Sequence, residues 1–279
     1  MRCHGRLLDL SHPRVMGIVN VTPDSFYPGS RQTEANEVLS QVDRMVGEGA
    51  DMIDVGGYSS RPGAEDIPQQ EELSRLRPAL EHIRRHHPDL VLSVDTFRPE
   101  VARIAVDDYD VDMINDISGG EMDSKMFETI ADLNVPYIAM HMKGTPQNMK
   151  EKAHYREMMK EITRYFSEKT DRLRRLGVKD IILDPGFGFG KTIEHNYELL
   201  SRLDELKIFE MPLMVGLSRK SMIYKVLGVD PGQALNGTTV LNTLALERGA
   251  NILRVHDVKQ AREAIIIRDK MAHSAPTDE

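Results

Sequence analysis

Two aspartates, Asp95 and Asp184, each end a run of apolar residues. A carboxylate in such a place costs several kcal/mol unless it is paired or hydrogen-bonded. Each could cap the helix that follows it. Alternatively, each could accept two hydrogen bonds from the flat, amidine-like edge of a heterocycle. Pro185 and the glycines after Asp184 favour contact with a ligand at that position.

One segment is rich in glycine and reads DPGFGFGKT over residues 184–192. It is not a P-loop, because Pro185 stands where that motif requires its first glycine. It is not a dinucleotide-binding fingerprint either, because Lys191 stands where the last glycine is required. We therefore expect a backbone that a flat ligand can approach closely. Phe187 and Phe189 could flank such a ring, although packing of one of them in the core is equally consistent.

Basic residues form a second group near the ends of apolar runs, on a chain whose net charge is −8. Arg254 and His256 are two apart on a predicted strand and so face the same way, which suits two oxygens of one diphosphate. An arginine that ends a buried strand is costly without an anion. For Arg219, ordinary ion pairing with the acidic surface is the alternative. The basic residues of this group are Arg61, Arg219, Lys220, Arg254 and His256.

Asn20 follows the first apolar run, and its amide oxygen could ligate Mg²⁺, which binds proteins through few ligands and bridges phosphate oxygens. A turn residue is the alternative interpretation of a single asparagine. Two loops that contain proline and glycine, residues 21–33 and 58–68, are long for connections from strand to helix. Loops of this length are typical of lids or binding loops.

These side chains can form one site only if the scaffold brings the strand ends together. Along the chain, short apolar runs alternate with amphipathic segments. Eight runs have the length of buried strands and cover residues 15–19, 51–55, 90–94, 112–114, 135–140, 180–183, 212–215 and 251–255. Helical periodicity is clearest over residues 34–49, 69–87, 151–176, 237–248 and 258–271. The alternation predicts an α/β fold, the (β/α)₈ or TIM barrel. A doubly wound sheet is the alternative, but it usually has fewer strands.

Polar or glycine-rich residues follow each of the predicted strands. In a barrel the carboxyl ends of the strands meet on one face, where the active sites of this fold lie. The sequence therefore predicts one active site at that face. These residues are Asn20, the segment 56–63, Asp95, Asn115 with Asp116, His141, the segments 184–192 and 217–221, and the segment 254–257, which ends the eighth strand.

The composition is that of a globular protein with a large core. Apolar residues make up 40% of the 279 positions, and 16 methionines with aliphatic side chains must fill the interior because tryptophan is absent. We expect one domain over residues 1–279. Residues 1–14 would cap the bottom of the barrel, and residues 272–279 would form a disordered tail.

The same composition excludes several classes of protein. The net charge of −8 argues against a general nucleic-acid or acidic-membrane surface, and no apolar run is long enough to span a membrane. A disulfide framework is impossible with Cys3 as the one cysteine, and a zinc–thiolate site is disfavoured. The N-terminal segment lacks the apolar centre of a signal peptide. We expect a cytoplasmic protein.

Several motifs occur in an order that is similar to the motif series of the dihydropteroate synthase family. They span residues 17–257, nearly the whole chain. Any one of them is modest evidence, whereas the ordered series is specific. The motifs read GIVNVTPDSF, GGYSSRPGA, SVDT, NDISGG, HMKGTP, LDPGFGFGKT, GLSRKS and RVHD.

The resemblance implies a transferase of folate biosynthesis. Such enzymes condense 6-hydroxymethyl-7,8-dihydropterin pyrophosphate with p-aminobenzoate, and they release pyrophosphate and 7,8-dihydropteroate. The implied reaction is dissociative, so the protein must stabilise a pterin-methyl cation and a departing anion. Arylamines are neutral nucleophiles near neutral pH, so we expect no strong general base.

The resemblance also implies site residues by motif match. The pterin would contact Asp95, Asn115, Met140, Asp184, Phe189, Gly216, Lys220 and Arg254. The p-aminobenzoate would contact Phe26, Ser60, Arg61, Pro62, Lys220 and Ser221. The pyrophosphate would be held by Arg61, Arg254 and His256, and by Mg²⁺ on Asn20. The catalytic residues would be Asp95, Asp184, Lys220, Arg254 and His256. A homodimer through the late helices is implied as well.

One loop departs from the family pattern, because many members read GESTRPG where this chain reads GYSSRPG. Ser60 keeps the hydroxyl group of the usual threonine. Tyr58 replaces an acidic residue, so the resemblance does not predict the contacts of this loop.

Two other functions are compatible with parts of the sequence. A pterin-barrel methyltransferase that binds methyltetrahydrofolate would need the pterin residues, but not the SSRPG, SRK and RVHD segments. A non-catalytic pterin-binding subunit would be marked by loss of Asn20, Arg61 or His256, and this chain keeps all of them.

Overall fold

The computed structural model describes residues 1–3, 6–21, 31–61, 63 and 65–274, without the side chains of residues 2, 6, 31–35 and 273. A short antiparallel hairpin, β1 (Arg2–Cys3) and β2 (Arg6–Leu7), precedes the main sheet. The main sheet contains β3 (Arg14–Asn20), β4 (Met52–Gly56), β5 (Val91–Asp95), β6 (Met113–Asp116), β7 (Tyr137–Met140), β8 (Ile181–Asp184), β9 (Met214–Val215) and β10 (Ile252–Val255).

The strands of the main sheet are parallel and lie in the order β8-β7-β6-β5-β4-β3-β10-β9. A parallel bridge between Leu183 and Leu213 joins the two ends of this order. The sheet therefore closes on itself, and helices lie between successive strands. The predicted (β/α)₈ barrel is confirmed.

Within the described residues each barrel strand is followed by one α-helix, except that two α-helices follow β9. The helices are α1 (Arg31–Gly47), α2 (Gln69–His86), α3 (Pro99–Tyr109), α4 (Met126–Leu133), α5 (Met158–Arg175), α6 (Ile193–Ser201), α7 (Ser221–Leu227), α8 (Leu235–Glu247) and α9 (Val258–Ser274). Local sequence explains several ends: Thr192 caps α6 through the N–H of His195, and Pro99 begins α3.

The helix predicted over residues 151–176 is wrong at its start, because α5 begins at Met158. Side chains bind the backbone groups of the residues before it. Lys143 Nζ donates to the carbonyl oxygen of His154, and Glu161 Oε1 accepts from the N–H of Arg156 at 2.8 Å. The preceding segment forms turns, because its polar groups are satisfied without a helix.

Several strands end one or two residues later than the apolar runs predict. Asn20, Asp95, Asp116 and Asp184 are the last residues of β3, β5, β6 and β8, although each was expected just beyond its strand. Ladder hydrogen bonds join backbone groups, so a polar side chain does not end a strand. The sheet itself therefore fixes these side chains.

A layer of buried side chains closes the amino end of the barrel. The hairpin contributes Cys3 to this layer. Met1 and Leu8, on either side of the hairpin, pack against the layer. The single domain over residues 1–279 stays a prediction, as does the role of residues 1–14 as its cap. The buried layer consists of Cys3, Met16, Met52, Met113, Ile138, Ile182, Met214 and Ile252.

At the carboxyl terminus α9 continues to Ser274, so residues 272–274 are helical where a disordered tail was expected. The other residues of that expected tail, 275–279, lie outside the described part of the chain. None of the described helices is long and apolar enough to cross a membrane.

Candidate active site

Three polar side chains and one glycine form a row across adjacent strands at the carboxyl end of the barrel, which we call the mouth. In the sheet register Asn20 is opposite Gly56, Gly56 is opposite Asp95, and Asp95 is opposite Asn115. A Cβ atom on Gly56 would lie 3.7 Å from Oδ1 of Asn20 and 3.5 Å from Cβ of Asp95. The glycine therefore keeps the space between the two polar side chains open.

Arg254 binds two carboxylates, that of Asp95 in this row and that of Asp54 deeper in the barrel. Its Nε donates to Oδ2 of Asp54 at 2.7 Å, and its Nη2 donates to Oδ2 of Asp95 at 2.9 Å. Asn115 Nδ2 donates to the same Asp54 oxygen at 2.9 Å. An arginine at the end of a barrel strand needs an anion, and here the protein supplies that anion.

Asp54 is not predicted from the sequence as a site residue. It lies in the middle of β4 with 0% exposure, and its Oδ1 has no hydrogen-bond partner within the described residues. Its neighbours Ile53 and Val55 face the core under the helices, so Asp54 faces the barrel interior. One signal was available, because a lone charge in the segment MIDVG requires a buried partner.

The cluster of Asp54, Asp95 and Arg254 is short of positive charge. If both carboxyl groups are ionised, two negative charges face one guanidinium group, which leaves a net charge of −1. Burial raises the pKa of Asp95; Arg254 opposes the rise, and Asp54 adds to it. A ligand that donates protons or brings positive charge would relieve this excess.

A second polar group faces this cluster from the end of β8. Asp184 is 6% exposed, and its Oδ1 accepts from the N–H of Gly186 at 2.8 Å. Burial raises the pKa of Asp184, against the ammonium group of Lys220, the Gly186 bond and the charge of Arg254. Ile182 and Ile252 lie in the buried layer inside the barrel, so Asp184 and Arg254, each two residues farther along its strand, also face the barrel interior and border one space.

Lys220 completes this second group. Its Nζ donates to the carbonyl oxygen of Phe187 in the glycine-rich segment. Burial lowers the pKa of Lys220 to about 8, against the charge of Asp184. A Cβ atom on Gly216 would lie 3.7 Å from Lys220 Nζ, so the glycine leaves room for that side chain.

The glycine-rich segment is held by Lys191, whose part in the site was not predicted. This lysine is 8% exposed. Its Nζ lies 3.0 Å from Nδ1 of His141, and it donates to the carbonyl oxygens of Gly186 at 3.0 Å and Phe189 at 3.2 Å. Burial lowers the pKa of Lys191 to about 7 and holds the pKa of His141 well below its usual value.

The apolar wall of the mouth contains Phe189 and Met140. Phe187 has 0% exposure and belongs to the main core, so of the two phenylalanines it is the one that packs inward. Phe189 is partly exposed, and Lys220 Nζ lies 4.8 Å from the centre of its ring. Met140 and Phe189 belong to a small apolar cluster above the barrel that also contains Tyr58 and Phe97.

The five basic residues do not all contribute charge to the mouth. Arg219 forms a two-point ion pair with Asp257, with both N···O distances at 2.9 Å. The alternative of ordinary ion pairing is therefore the one observed for Arg219. His256 is exposed beyond β10, and Ser218 Oγ accepts from its backbone N–H at 3.2 Å. Desolvation beside the barrel and the charge of Arg254 lower the pKa of His256, so its imidazole is neutral near pH 7.

The remaining predicted residues lie farther out or outside the described structure. Ser60 is half-buried and Arg61 is exposed in the loop after β4. Ser221 directly follows Lys220 and begins α7. Phe26, Pro62 and residues 22–30 of the first long loop lie outside the described residues. Within the described part of the chain, histidine, cysteine, aspartate and glutamate side chains form no metal-binding group of three or more.

Comparison with known proteins places this arrangement in a family. Residues 16–256 match the model of the family described as pterin binding enzyme. A dihydropteroate synthase of Escherichia coli is 43% identical over 263 residues, which cover 94% of this chain and 92% of the relative. That of Haemophilus influenzae is 37% identical and covers 97% of this chain and 98% of the relative.

Solved structures agree with this result. The crystal structure of a Yersinia pestis dihydropteroate synthase with a sulfonamide drug complex superposes with a TM-score of 0.92 at 41% identity and covers 98% of this chain and 99% of that one. The Xanthomonas albilineans enzyme with 4-aminobenzoic acid has a TM-score of 0.90 at 40% identity and covers 98% of both chains. The chain belongs to the family of pterin-binding enzymes, among the dihydropteroate synthases.

Proposed function

We propose that the chain condenses 6-hydroxymethyl-7,8-dihydropterin pyrophosphate with p-aminobenzoate, and that the mouth is the active site. The observation that carries this proposal is the pair of polar groups that face the barrel interior: Asp54, Asp95 and Arg254 on one side, Asp184 and Lys220 on the other. A pterin ring presents adjacent N–H donors along one edge, which suits buried carboxylates. Lys220 would donate to an acceptor atom of the same ring.

The ring would lie in a slot lined by Met140, Phe189 and Gly216. Asn115 would reach it from β6, where its amide is already oriented by Asp54. Arg254, fixed by its two carboxylates, would lie against the ring and face the leaving group. Preorganised groups of this kind favour a transition state without rearranging during the reaction.

The reaction breaks the bond between the pterin methylene carbon and the pyrophosphate oxygen, and both electrons leave with pyrophosphate. With Asp54 and Asp95 both ionised, the net negative charge of their cluster with Arg254 would stabilise the resulting cation. The arylamine nitrogen then forms the new bond to the methylene carbon and releases its proton to solvent or pyrophosphate. No residue needs to act as a strong base.

Arg61, Arg254 and His256 would hold the departing pyrophosphate. His256 would act mainly as a hydrogen-bonding group, because its imidazole is neutral near pH 7. Asn20 would hold Mg²⁺: its amide oxygen is a suitable hard donor, Gly56 leaves space beside it, and Mg²⁺ commonly takes one or two protein ligands with phosphate oxygens. Bound Mg²⁺ would neutralise charge on the pyrophosphate.

The p-aminobenzoate would bind at the outer edge of the mouth, between the loop after β4 and the start of α7. Ser60, Arg61 and Ser221 would contribute from these two segments, with Lys220 between the two substrates. Phe26 and Pro62 complete this assignment by motif match. Closure of the loop between β3 and α1 and of the loop between β4 and α2 over both substrates would exclude water from the cation.

A homodimer is supported by exposed apolar side chains on three neighbouring helices. α7 contacts α8, and α8 contacts α9. Because the three helices are neighbours, we take these side chains as one apolar surface, and soluble monomers rarely expose large apolar surfaces. The exposed residues, which we call the late-helix patch, are Val226, Leu227, Val240, Leu244, Ile266, Ile267 and Met271.

The decisive experiment mixes the protein with the pterin pyrophosphate and Mg²⁺, with and without p-aminobenzoate. We expect pyrophosphate and dihydropteroate to appear in equal amounts only when both substrates are present. A methyltransferase of the same fold would release no pyrophosphate. Absence of dihydropteroate under these conditions would contradict the proposed function.

A further inference from the structure

Tyr58 is the second residue of the loop after β4 and is buried, with 6% exposure. Its ring meets the ring of Phe97 edge to face, with centroids 5.0 Å apart. Its hydroxyl group accepts a hydrogen bond from Nε2 of Gln147 at 3.1 Å. Tyr58 therefore connects the loop that carries Ser60 and Arg61 to the loop that follows β7.

A second connection lies five residues farther along the same loop. The N–H of Gly63 donates to the carbonyl oxygen of Pro146 at 3.3 Å, beside Gln147. Gly63 has a φ of +81°, a conformation that favours glycine. The segment 58–63 is therefore tied to residues 146–147 at both of its ends, and Ser60 and Arg61 lie between the two ties.

Arg98 holds the far end of the loop after β4. It donates to the carbonyl oxygen of Ile67 at 2.5 Å and pairs with the buried Glu72. The same guanidinium group lies 5.5 Å from the ring centre of Tyr58 and 4.9 Å from that of Phe97. One arginine thus supports both the beginning and the end of the loop, and cation–π contact adds to that support.

We propose that Tyr58 is a positioning residue for the arylamine substrate, which with Gln147 holds Ser60 and Arg61 beside the mouth before that substrate binds. The inference rests on the proposed function, because it takes the loop after β4 as part of the arylamine site. An ordered loop loses less conformational entropy on binding, so a substrate bound by it binds more tightly. Tyr58 stands where many family members have an acid, and its hydroxyl group supplies a neutral polar contact instead.

The sharpest test changes only the hydroxyl group. Tyr58→Phe keeps the ring in the cluster with Met140 and Phe189, whereas Tyr58→Ala would also disturb the pterin slot. We expect Tyr58→Phe to raise KM for p-aminobenzoate about 3- to 10-fold, as loss of one hydrogen bond does. We expect kcat to change less than about 2-fold and pterin pyrophosphate affinity to stay the same.

Gln147→Leu removes the other partner of this bond and should also raise KM for p-aminobenzoate, by no more than Tyr58→Phe does, because the Tyr58 hydroxyl group also interacts with Asp66. The double variant should be no worse than Tyr58→Phe alone, because that substitution already removes the bond from Gln147. Tyr109→Phe, the same chemical change at the end of α3 and away from the mouth, is the control and should match the wild type. Normal KM in Tyr58→Phe and Gln147→Leu, or additive effects in the double variant, would overturn the proposal.

Hydrogen exchange of the Gly63 amide gives a measurement that needs no catalysis. We expect faster exchange in peptides covering residues 57–66 for Tyr58→Phe and Gln147→Leu, and unchanged exchange for Tyr109→Phe. Equal exchange in all variants would refute the tie between the loops. If the wild-type protein makes no dihydropteroate, the proposed function fails, while the exchange rates still decide whether Tyr58 orders the loop.

Discussion

At the scale of single residues, Asp54 has the greatest consequence. One of its oxygens accepts from Arg254 and Asn115, and the side chain is fully buried. Both partners are assigned to the pterin, so Asp54 orients them without being assigned a contact of its own. A buried carboxylate that aligns two binding residues acts on affinity and on stability together.

Asp54→Asn keeps the size of the side chain and removes its charge. We expect kcat/KM to fall on the order of 10²-fold, because Arg254 loses its closer anion and its fixed direction. The free energy of unfolding should fall by about 2 kcal/mol in urea titrations, since a buried pair loses one partner. Asp132→Asn is the control, because its pair with Arg103 is exposed. Full activity in Asp54→Asn would contradict the positioning role.

Lys220 leads to a prediction about pH. Burial lowers its pKa to about 8, so the donating ammonium form is present below that pH and is lost as pH rises through it. We expect kcat/KM, which reports the free enzyme, to decline above about pH 8. Lys220→Arg should move this decline to higher pH, because guanidinium stays charged. An alkaline limb that is identical in both proteins would assign the titration to another group.

At the scale of elements, the glycine-rich segment between β8 and α6 depends on Lys191. Two carbonyl groups of the segment and the ring of His141 converge on its buried Nζ. Asp184 and the carbonyl oxygen that receives Lys220 lie in this same segment. The lysine therefore fixes the backbone from which the second polar group of the mouth is built.

Lys191→Met retains the length of the side chain without its donors. We expect the free energy of unfolding to fall by about 2 kcal/mol, because carbonyl groups in the buried segment lose their partner. Pterin affinity measured by calorimetry should weaken about 10-fold, as Asp184 becomes less fixed. Lys150→Met, at an exposed position, should behave as the wild type. Unchanged calorimetric affinity in Lys191→Met would show that the segment keeps its shape without the lysine.

At the scale of the whole molecule, the late-helix patch makes the proposed dimer testable. Leu244 lies on α8 between the other two helices and is 49% exposed. Leu244→Glu would place a charge in an apolar interface, so we expect a shift to monomer in sedimentation velocity. Leu176→Glu, at the end of α5, should leave the sedimentation unchanged. A wild-type protein that sediments as a monomer would refute the dimer.

The sequence by itself determined the barrel and the face on which the candidate site lies. Alternating apolar runs and helical periodicity are local properties, and they predicted the ends of the barrel strands, including the short β9 (Met214–Val215), to within one or two residues. The polar residues at strand ends were also visible, because a charge beside an apolar run is conspicuous. Phe187 and Phe189 were not distinguishable, since both have the same neighbours in sequence.

Only the tertiary structure decided which side chains meet. Arg254 and Asp54 are 200 positions apart, and closure of the sheet brings them together. The same closure pairs Arg219 with Asp257 and places Tyr58 against Gln147. Periodicity shows which way a side chain faces, whereas partner choice depends on the register between strands and on the course of the loops. Those follow from the packing of the whole chain.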